Sequence, residues 1–127
     1  MYAQGLICRK CKKTYPLDNR YHCTECKGLL EVFYDYNKIK QVGKSMFTRE
    51  LASIWKYAEL LPLGKTSRVV SLGEGGTPLL RADNTGRGLG LRNLFLKLES
   101  HNPTGSFKDR PTSVAVSKAV EEGAETI

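Results

Sequence analysis

The spacing of apolar residues in the first half of the chain predicts one strand and one helix. The stretch GLLEVFYDY (28–36) is rich in β-branched and aromatic residues, which is typical of a strand. The polar, basic stretch NKIKQVGK (37–44) predicts a linker or a short helix. Farther on, apolar residues recur at helical spacing and predict a helix over 45–63, with Ser45 as its cap and Pro62 at its end.

The second half alternates between glycine-rich turns and apolar segments. LGEGGTPLL (72–80) predicts a turn that runs into an extended segment, and GRGLG (86–90) predicts a loop. NLFLKLES (93–100) is apolar enough for a largely buried strand. A helix is expected from Asp109 to Glu122, and GAETI (123–127) predicts the start of another strand. Strand, loop, helix and strand in this order indicate a βαβ unit and an α/β fold class.

Four cysteines form two Cys-x-x-Cys pairs with eleven residues between them: Cys8, Cys11, Cys23 and Cys26. This spacing is typical of a tetrahedral zinc site in a small zinc ribbon. Because all four positions are cysteine, the site has no open position and is predicted to be structural. Gly28 is expected to supply the positive φ that such a turn needs. His22 is interpreted as a surface residue of the ribbon and not as a ligand.

The net charge of +7 changes this picture little. Residues 1–40 carry +4 of it, and four thiolates around Zn²⁺ would leave a double negative charge that nearby lysines offset. A basic chain fits nucleic acid or an anionic substrate equally well. The absence of a long apolar run or a signal peptide disfavours a membrane span and predicts a cytoplasmic protein, where disulfides are rare.

Lys108, in NPTGSFKDRP, lies where a helix is expected to begin. The amides at a helix start carry a partial positive charge, which disfavours an ammonium and favours a free amine. Either Ser106 with Asp109 forms a capping box, or Asp109 is the cap and Pro111 is the second helical residue. The alternative interpretation is a surface lysine paired with Asp109 or Glu99.

Three motifs together resemble threonine synthases, a family of pyridoxal-phosphate enzymes of the tryptophan-synthase β type: LGEGGTPL, LFLKLESHNPTGSFKDRP and AVSKAVEEGA. The resemblance implies that Lys108 binds pyridoxal 5′-phosphate as a Schiff base. Some members also carry a four-cysteine ribbon before the enzyme domain. Pro111 departs from the family pattern, since many members have glycine at this position, and this affects the helix start.

The resemblance implies a lyase that converts O-phospho-L-homoserine and water to L-threonine and phosphate. In this family the loop that binds the cofactor phosphate follows the lysine in sequence. We therefore expect the chain to be the N-terminal part of a longer enzyme, inactive by itself. Its parts would be a four-cysteine zinc ribbon (1–36), a linker and helix (37–71) and the beginning of a truncated fold-type-II α/β domain (72–127). Assembly into a homo-oligomer stays open.

Two alternatives compete with this interpretation. The first is cysteate synthase, which shares the lysine motif but uses phosphoserine and sulfite, or another pyridoxal-phosphate lyase of the β family. The substrate-selecting residues are expected outside this chain. The second alternative is not an enzyme: a zinc-ribbon module that binds nucleic acid or a protein. It accounts for the basic ribbon but leaves the lysine motif without a role, so nucleic acid is disfavoured as a partner.

Overall fold

The computed structural model describes residues 2–43, 52–64 and 68–126, which divide between two units. The first unit comprises Met1–Arg49 with Tyr57–Ser67, and the second comprises Glu50–Lys56 with Arg68–Ile127. Among the described residues, no helix has both the length and the apolar character needed to cross a membrane.

The first unit contains a three-stranded antiparallel sheet in the order β2-β1-β3, built from β1 (Ala3–Cys8), β2 (Thr14–Tyr15) and β3 (Leu30–Tyr34). β3 lies inside the segment 28–36, so the predicted strand is confirmed. Helix α1 (Tyr36–Val42) follows, which confirms the short helix expected there. Asp35 caps it by accepting a hydrogen bond from the Lys38 amide at 3.1 Å.

The long helix predicted over 45–63 is not an α-helix in its described part, and Ser45 lies outside the described residues. Ile54–Leu60 forms a 3₁₀ helix with a kink at Tyr57, where φ is −104° and ψ is 18°. The amide of Ile54 donates to Glu74 O at 3.0 Å instead of joining a helical ladder. Apolar spacing alone did not reveal this competing bond.

The second unit contains a two-stranded antiparallel sheet and two α-helices. β4 (Leu79–Arg81) pairs with β5 (Phe95–Lys97). α2 (Asp83–Gly88) connects them, and α3 (Asp109–Glu121) ends the unit and confirms the helix predicted there. The chain is therefore mixed α/β, as expected.

Three details of the predicted second half are wrong. The segment 86–90 is not a loop throughout, because α2 extends to Gly88; Gly86 allows this tight turn, since a Cβ there would lie 2.7 Å from Leu91 O. β5 forms where expected, but its three residues are exposed and not buried; within the described residues it pairs with β4 alone. Residues 123–126 do not form a strand, so the described part contains no complete βαβ unit.

The two units bury different kinds of side chain. Among the described residues, the buried apolar ones all belong to the first unit: Ala3, Leu6, Cys8, Cys23 and Leu63. The buried side chains of the second unit are polar: Glu74, Thr77, Asn102, Asp109, Ser113 and Ser117. The first unit thus has a very small core that includes two cysteines, and hydrogen bonds hold the second together.

Candidate metal centre and lysine site

The two Cys-x-x-Cys pairs form two tight turns with matching backbone geometry. In each turn the first cysteine accepts one backbone bond and donates another. The bonds run from Lys12 N to Cys8 O, Cys8 N to Lys13 O, Lys27 N to Cys23 O and Cys23 N to Gly28 O, at 2.8–3.0 Å. This repetition presents two pairs of sulfurs in the same way.

The positive φ predicted for Gly28 occurs one residue earlier. Lys12 and Lys27, directly after the second cysteine of each pair, have φ values of 64° and 57°. Gly28 serves a different purpose, because a Cβ there would lie 3.0 Å from Cys8 Sγ and 3.2 Å from Cys26 Sγ. The missing side chain of Gly28 therefore leaves space for the sulfurs, and Gly28 does not adopt a left-handed conformation.

The four cysteine sulfurs all lie within 4.8 Å of one another and could hold a metal ion. Two of the sulfur pairs are 3.5 Å apart, far beyond the bond length of about 2.05 Å in a disulfide. Four Zn–S bonds of about 2.3 Å in a tetrahedron would separate the sulfurs by about 3.8 Å. The cluster thus fits a tetrahedral thiolate site. His22 is exposed and lies outside this cluster.

The side chain of Tyr15, in β2, joins the cluster, and the sequence reasoning missed it. Its hydroxyl lies 3.0 Å from Cys23 Sγ. This hydrogen bond, together with the backbone amides of Cys26 and Glu25, lowers the pKa of Cys23 to about 6 despite the opposing effect of burial. The Lys13 amide lowers the pKa of Cys11, but hydrogen bonds to Cys23 and Cys26 outweigh it and raise that pKa to about 12. The only sequence signal for Tyr15 was an aromatic residue between the two pairs.

Lys108 is the N-cap residue of α3, which confirms that it lies at the helix start. Its backbone is helical, and its amide donates to Ser106 Oγ at 3.1 Å. Both predicted caps are wrong, since Asp109 is the first helical residue and Pro111 the third. A proline is still tolerated there, because the first four amides of a helix have no partner within it.

The ammonium of Lys108 is exposed and lies 4.9 Å from the centre of the Phe107 ring. Both carboxylates considered as its partners are bound elsewhere. The buried Asp109 accepts from the amide of Thr104 at 2.8 Å and also from its hydroxyl. Glu99 accepts two hydrogen bonds from Arg110, each 2.8 Å long. Among the described residues, Lys108 forms no ion pair.

A network around Glu99 fixes the segment that leads to Lys108. Thr77 donates its hydroxyl to Glu99 at 2.7 Å, and Asn102 donates to the Glu99 backbone carbonyl at 2.7 Å. Asn102 in turn accepts from the amide of Gly75 at 2.9 Å. The glycine-rich turn is thereby tied to the lysine motif, although the sequence reasoning gave Thr77 and Asn102 no role.

The network makes a pH prediction for the second unit. Arg110, followed by Thr77, lowers the pKa of Glu99 to about 2 from its ordinary value of 4.5. The stability that this carboxylate contributes is therefore present above pH 4.5 and is lost as the pH falls toward 2. We expect Glu99→Gln to lower the urea concentration at which α3 unfolds at pH 7. Between pH 4.5 and pH 2 this urea midpoint should fall less in Glu99→Gln than in wild type. Backbone amide signals of α3 measure this, and Glu122→Gln, at the far end of the helix, is the control. Parallel pH profiles for wild type and Glu99→Gln would contradict the prediction.

Comparison with known proteins agrees with this geometry. Residues 70–127 match the family model described as pyridoxal-phosphate dependent enzyme, and this range contains the glycine-rich turn and Lys108. Threonine synthase of Methanocaldococcus jannaschii is 46% identical over 94% of this chain and 30% of its own length. The enzyme of Methanosarcina acetivorans is 44% identical over 96% of the chain and 30% of its own length.

A further threonine synthase, from Halalkalibacterium halodurans, is 46% identical over 57% of this chain and 20% of its own length. The chain therefore spans about 30% of the length of the first two relatives. No solved structure matches. The predicted resemblance is confirmed: residues 70–127 match the model of the pyridoxal-phosphate dependent enzyme family, and most of the chain is similar to threonine synthases.

Proposed function

We propose that this chain is part of a threonine synthase, a pyridoxal-phosphate dependent lyase that converts O-phospho-L-homoserine and water to L-threonine and phosphate. The observation that carries the proposal is the position of Lys108 at the start of α3, inside the matched family segment. The threonine synthase relatives support the choice of substrate. A cytoplasmic location accords with such a biosynthetic role.

Lys108 fits the cofactor because it offers a primary amine that no carboxylate among the described residues pairs with. The chemistry that bound pyridoxal phosphate supplies is the stabilisation of negative charge on the substrate carbons. Lys108 would hold the cofactor covalently and, once released by the substrate amine, would move protons between substrate carbons. The Glu99–Arg110 pair would position Lys108 by fixing the turn before α3.

The cysteine cluster would bind one structural zinc ion through Cys8, Cys11, Cys23 and Cys26. Four thiolates with sulfurs at tetrahedral spacing match the ligand preference of zinc. Occupying all four positions with protein ligands leaves no position for substrate. The metal would therefore stabilise the first unit and take no part in the reaction.

The alternatives receive less support. The relatives named above are threonine synthases, which disfavours cysteate synthase. A non-catalytic zinc module does not explain a pyridoxal-phosphate enzyme match over residues 70–127.

The test is turnover by the enzyme whose sequence contains this chain. We expect release of phosphate and threonine from O-phospho-L-homoserine, and no formation of cysteate from phosphoserine with sulfite. Cysteate formation without threonine would transfer the assignment to the sulfite-dependent enzyme. An enzyme that binds zinc but turns over neither substrate would contradict the catalytic proposal and favour the binding module.

A further inference from the structure

The hydroxyl of Tyr15 has a nearly fixed hydrogen-bonding pattern. It lies 3.0 Å from Cys23 Sγ, 3.1 Å from Thr24 Oγ1 and 3.2 Å from the Thr24 amide. The amide can only donate, so the Tyr15 oxygen accepts there. The Thr24 hydroxyl can also donate to Tyr15, whereas a metal-bound thiolate can only accept. All three contacts are hydrogen bonds if Tyr15 accepts from the amide and the hydroxyl of Thr24 and donates its own proton to Cys23 Sγ.

This hydroxyl makes the two cysteine turns unequal. Cys8 Sγ accepts from the amides of Lys10 and Cys11, both at 3.4 Å. Cys23, in the matching position of the second turn, also receives backbone amides, and in addition has the shorter contact with Tyr15. Hydrogen bonds to an ionised acceptor are stronger than neutral ones. The extra donor therefore distinguishes Cys23 from its counterpart.

The ring of Tyr15 is held in place by charged neighbours. The Arg20 guanidinium lies 4.8 Å and the Lys13 ammonium 5.8 Å from the ring centre. Each cation is itself fixed by a carboxylate, Arg20 by Asp18 at 2.7 Å and Lys13 by Glu25. In the folded ribbon these contacts restrict the ring and hold its hydroxyl beside Cys23.

We propose that Tyr15 is a positioning residue of the metal centre, whose hydroxyl donates to the Cys23 thiolate and strengthens metal binding at this sulfur. The inference rests on the proposed zinc site. The hydrogen bond delocalises part of the thiolate charge and keeps the sulfur oriented toward the metal. Residues outside the ligand set commonly change metal affinity by about 10–100-fold in this way.

The test compares Tyr15→Phe with wild type in the 127-residue chain. Zinc affinity is measured by competition with a chromophoric chelator, and Tyr15→Phe is expected to bind about 10–100-fold more weakly. Tyr21→Phe is the control, because Tyr21 is 76% exposed and its hydroxyl should not affect affinity. With Co²⁺ as the probe, the thiolate-to-cobalt charge-transfer band should shift to lower energy in Tyr15→Phe, while the tetrahedral d–d bands persist.

The outcomes separate this inference from the zinc proposal. Failure of the wild-type chain to bind zinc or cobalt overturns the metal site itself. Binding by wild type with equal affinity and an unchanged charge-transfer band in Tyr15→Phe overturns the role of Tyr15. If Tyr15→Phe does not fold, the hydrogen bond is tested directly by NMR of the wild-type chain loaded with ¹¹³Cd. Scalar coupling between cadmium and the Tyr15 hydroxyl proton supports the inference, and its absence beside visible couplings to cysteine β-protons contradicts it.

Discussion

Replacing Lys108 by alanine is expected to abolish the specific covalent attachment of pyridoxal phosphate in the whole enzyme. The whole enzyme is loaded with one equivalent of cofactor and reduced with borohydride, and modified peptides are located by mass spectrometry. Wild type should carry the modification at Lys108, because this lysine lies at the start of α3 inside the segment that matches the pyridoxal-phosphate enzyme family. Lys118→Arg is the control, since Lys118 is bound to Glu121 at 2.7 Å at the other end of α3.

The same change should severely reduce turnover. Loss of a positioned proton-transfer group alone reduces the rate by about 10²–10⁴-fold. Lys108→Arg keeps the charge but cannot attach the cofactor, so it should be as inactive as Lys108→Ala. Added methylamine should restore part of the activity of the alanine variant only. Modification spread evenly over the lysines, or near-normal turnover by Lys108→Ala, would remove Lys108 from the proposed chemistry.

Removing the metal is expected to unfold residues 1–35. Two of the few buried apolar residues of the first unit are the proposed ligands Cys8 and Cys23, so little other apolar burial remains to hold β1 to β3. Structural zinc in small zinc-finger peptides contributes about 10–16 kcal/mol at pH 7, far more than such a core can supply. A strong chelator should therefore erase the amide dispersion of β1 and β3 and expose four reactive thiols.

Two comparisons make this measurement specific. Adding one equivalent of zinc should restore the signals, and Cys26→Ser should show weakened recovery because one of the four thiolates is missing. Amide signals of α3 provide an internal reference, since its hydrogen bonds involve no cysteine. A metal-free chain that retains the β1–β3 pairing would contradict a structural role for the ion.

The sequence predicted the cysteine cluster and the position of Lys108 better than their surroundings. Two Cys-x-x-Cys pairs have few ways to bring four sulfurs together, so their spacing was sufficient to anticipate the cluster. The helix after Lys108 was likewise evident from its local pattern. Both predictions depend on interactions between residues that are close in sequence.

The errors concern residues whose conformation depends on distant partners. The bond from Ile54 to Glu74 replaced the expected α-helical pattern, and no local periodicity encodes it. The exposure of β5 depends on what covers the sheet, which an apolar pattern cannot specify. The left-handed conformation of Lys27 was assigned to the neighbouring glycine because glycine adopts it at less cost. Local patterns therefore located the cysteine cluster and the start of α3 but not the hydrogen bonds that support them.

The hydrogen bonds around Glu99 also have a consequence for the order of folding. They join residues 22, 27 and 33 positions apart, in the pairs Thr77–Glu99, Gly75–Asn102 and Thr77–Arg110. Closing such loops is entropically costly and slows contact formation relative to local helix formation. α3 can thus form early, whereas the turn carrying Lys108 reaches its final geometry late. During synthesis, the glycine-rich turn must wait for Arg110 to emerge from the ribosome before its contacts are complete.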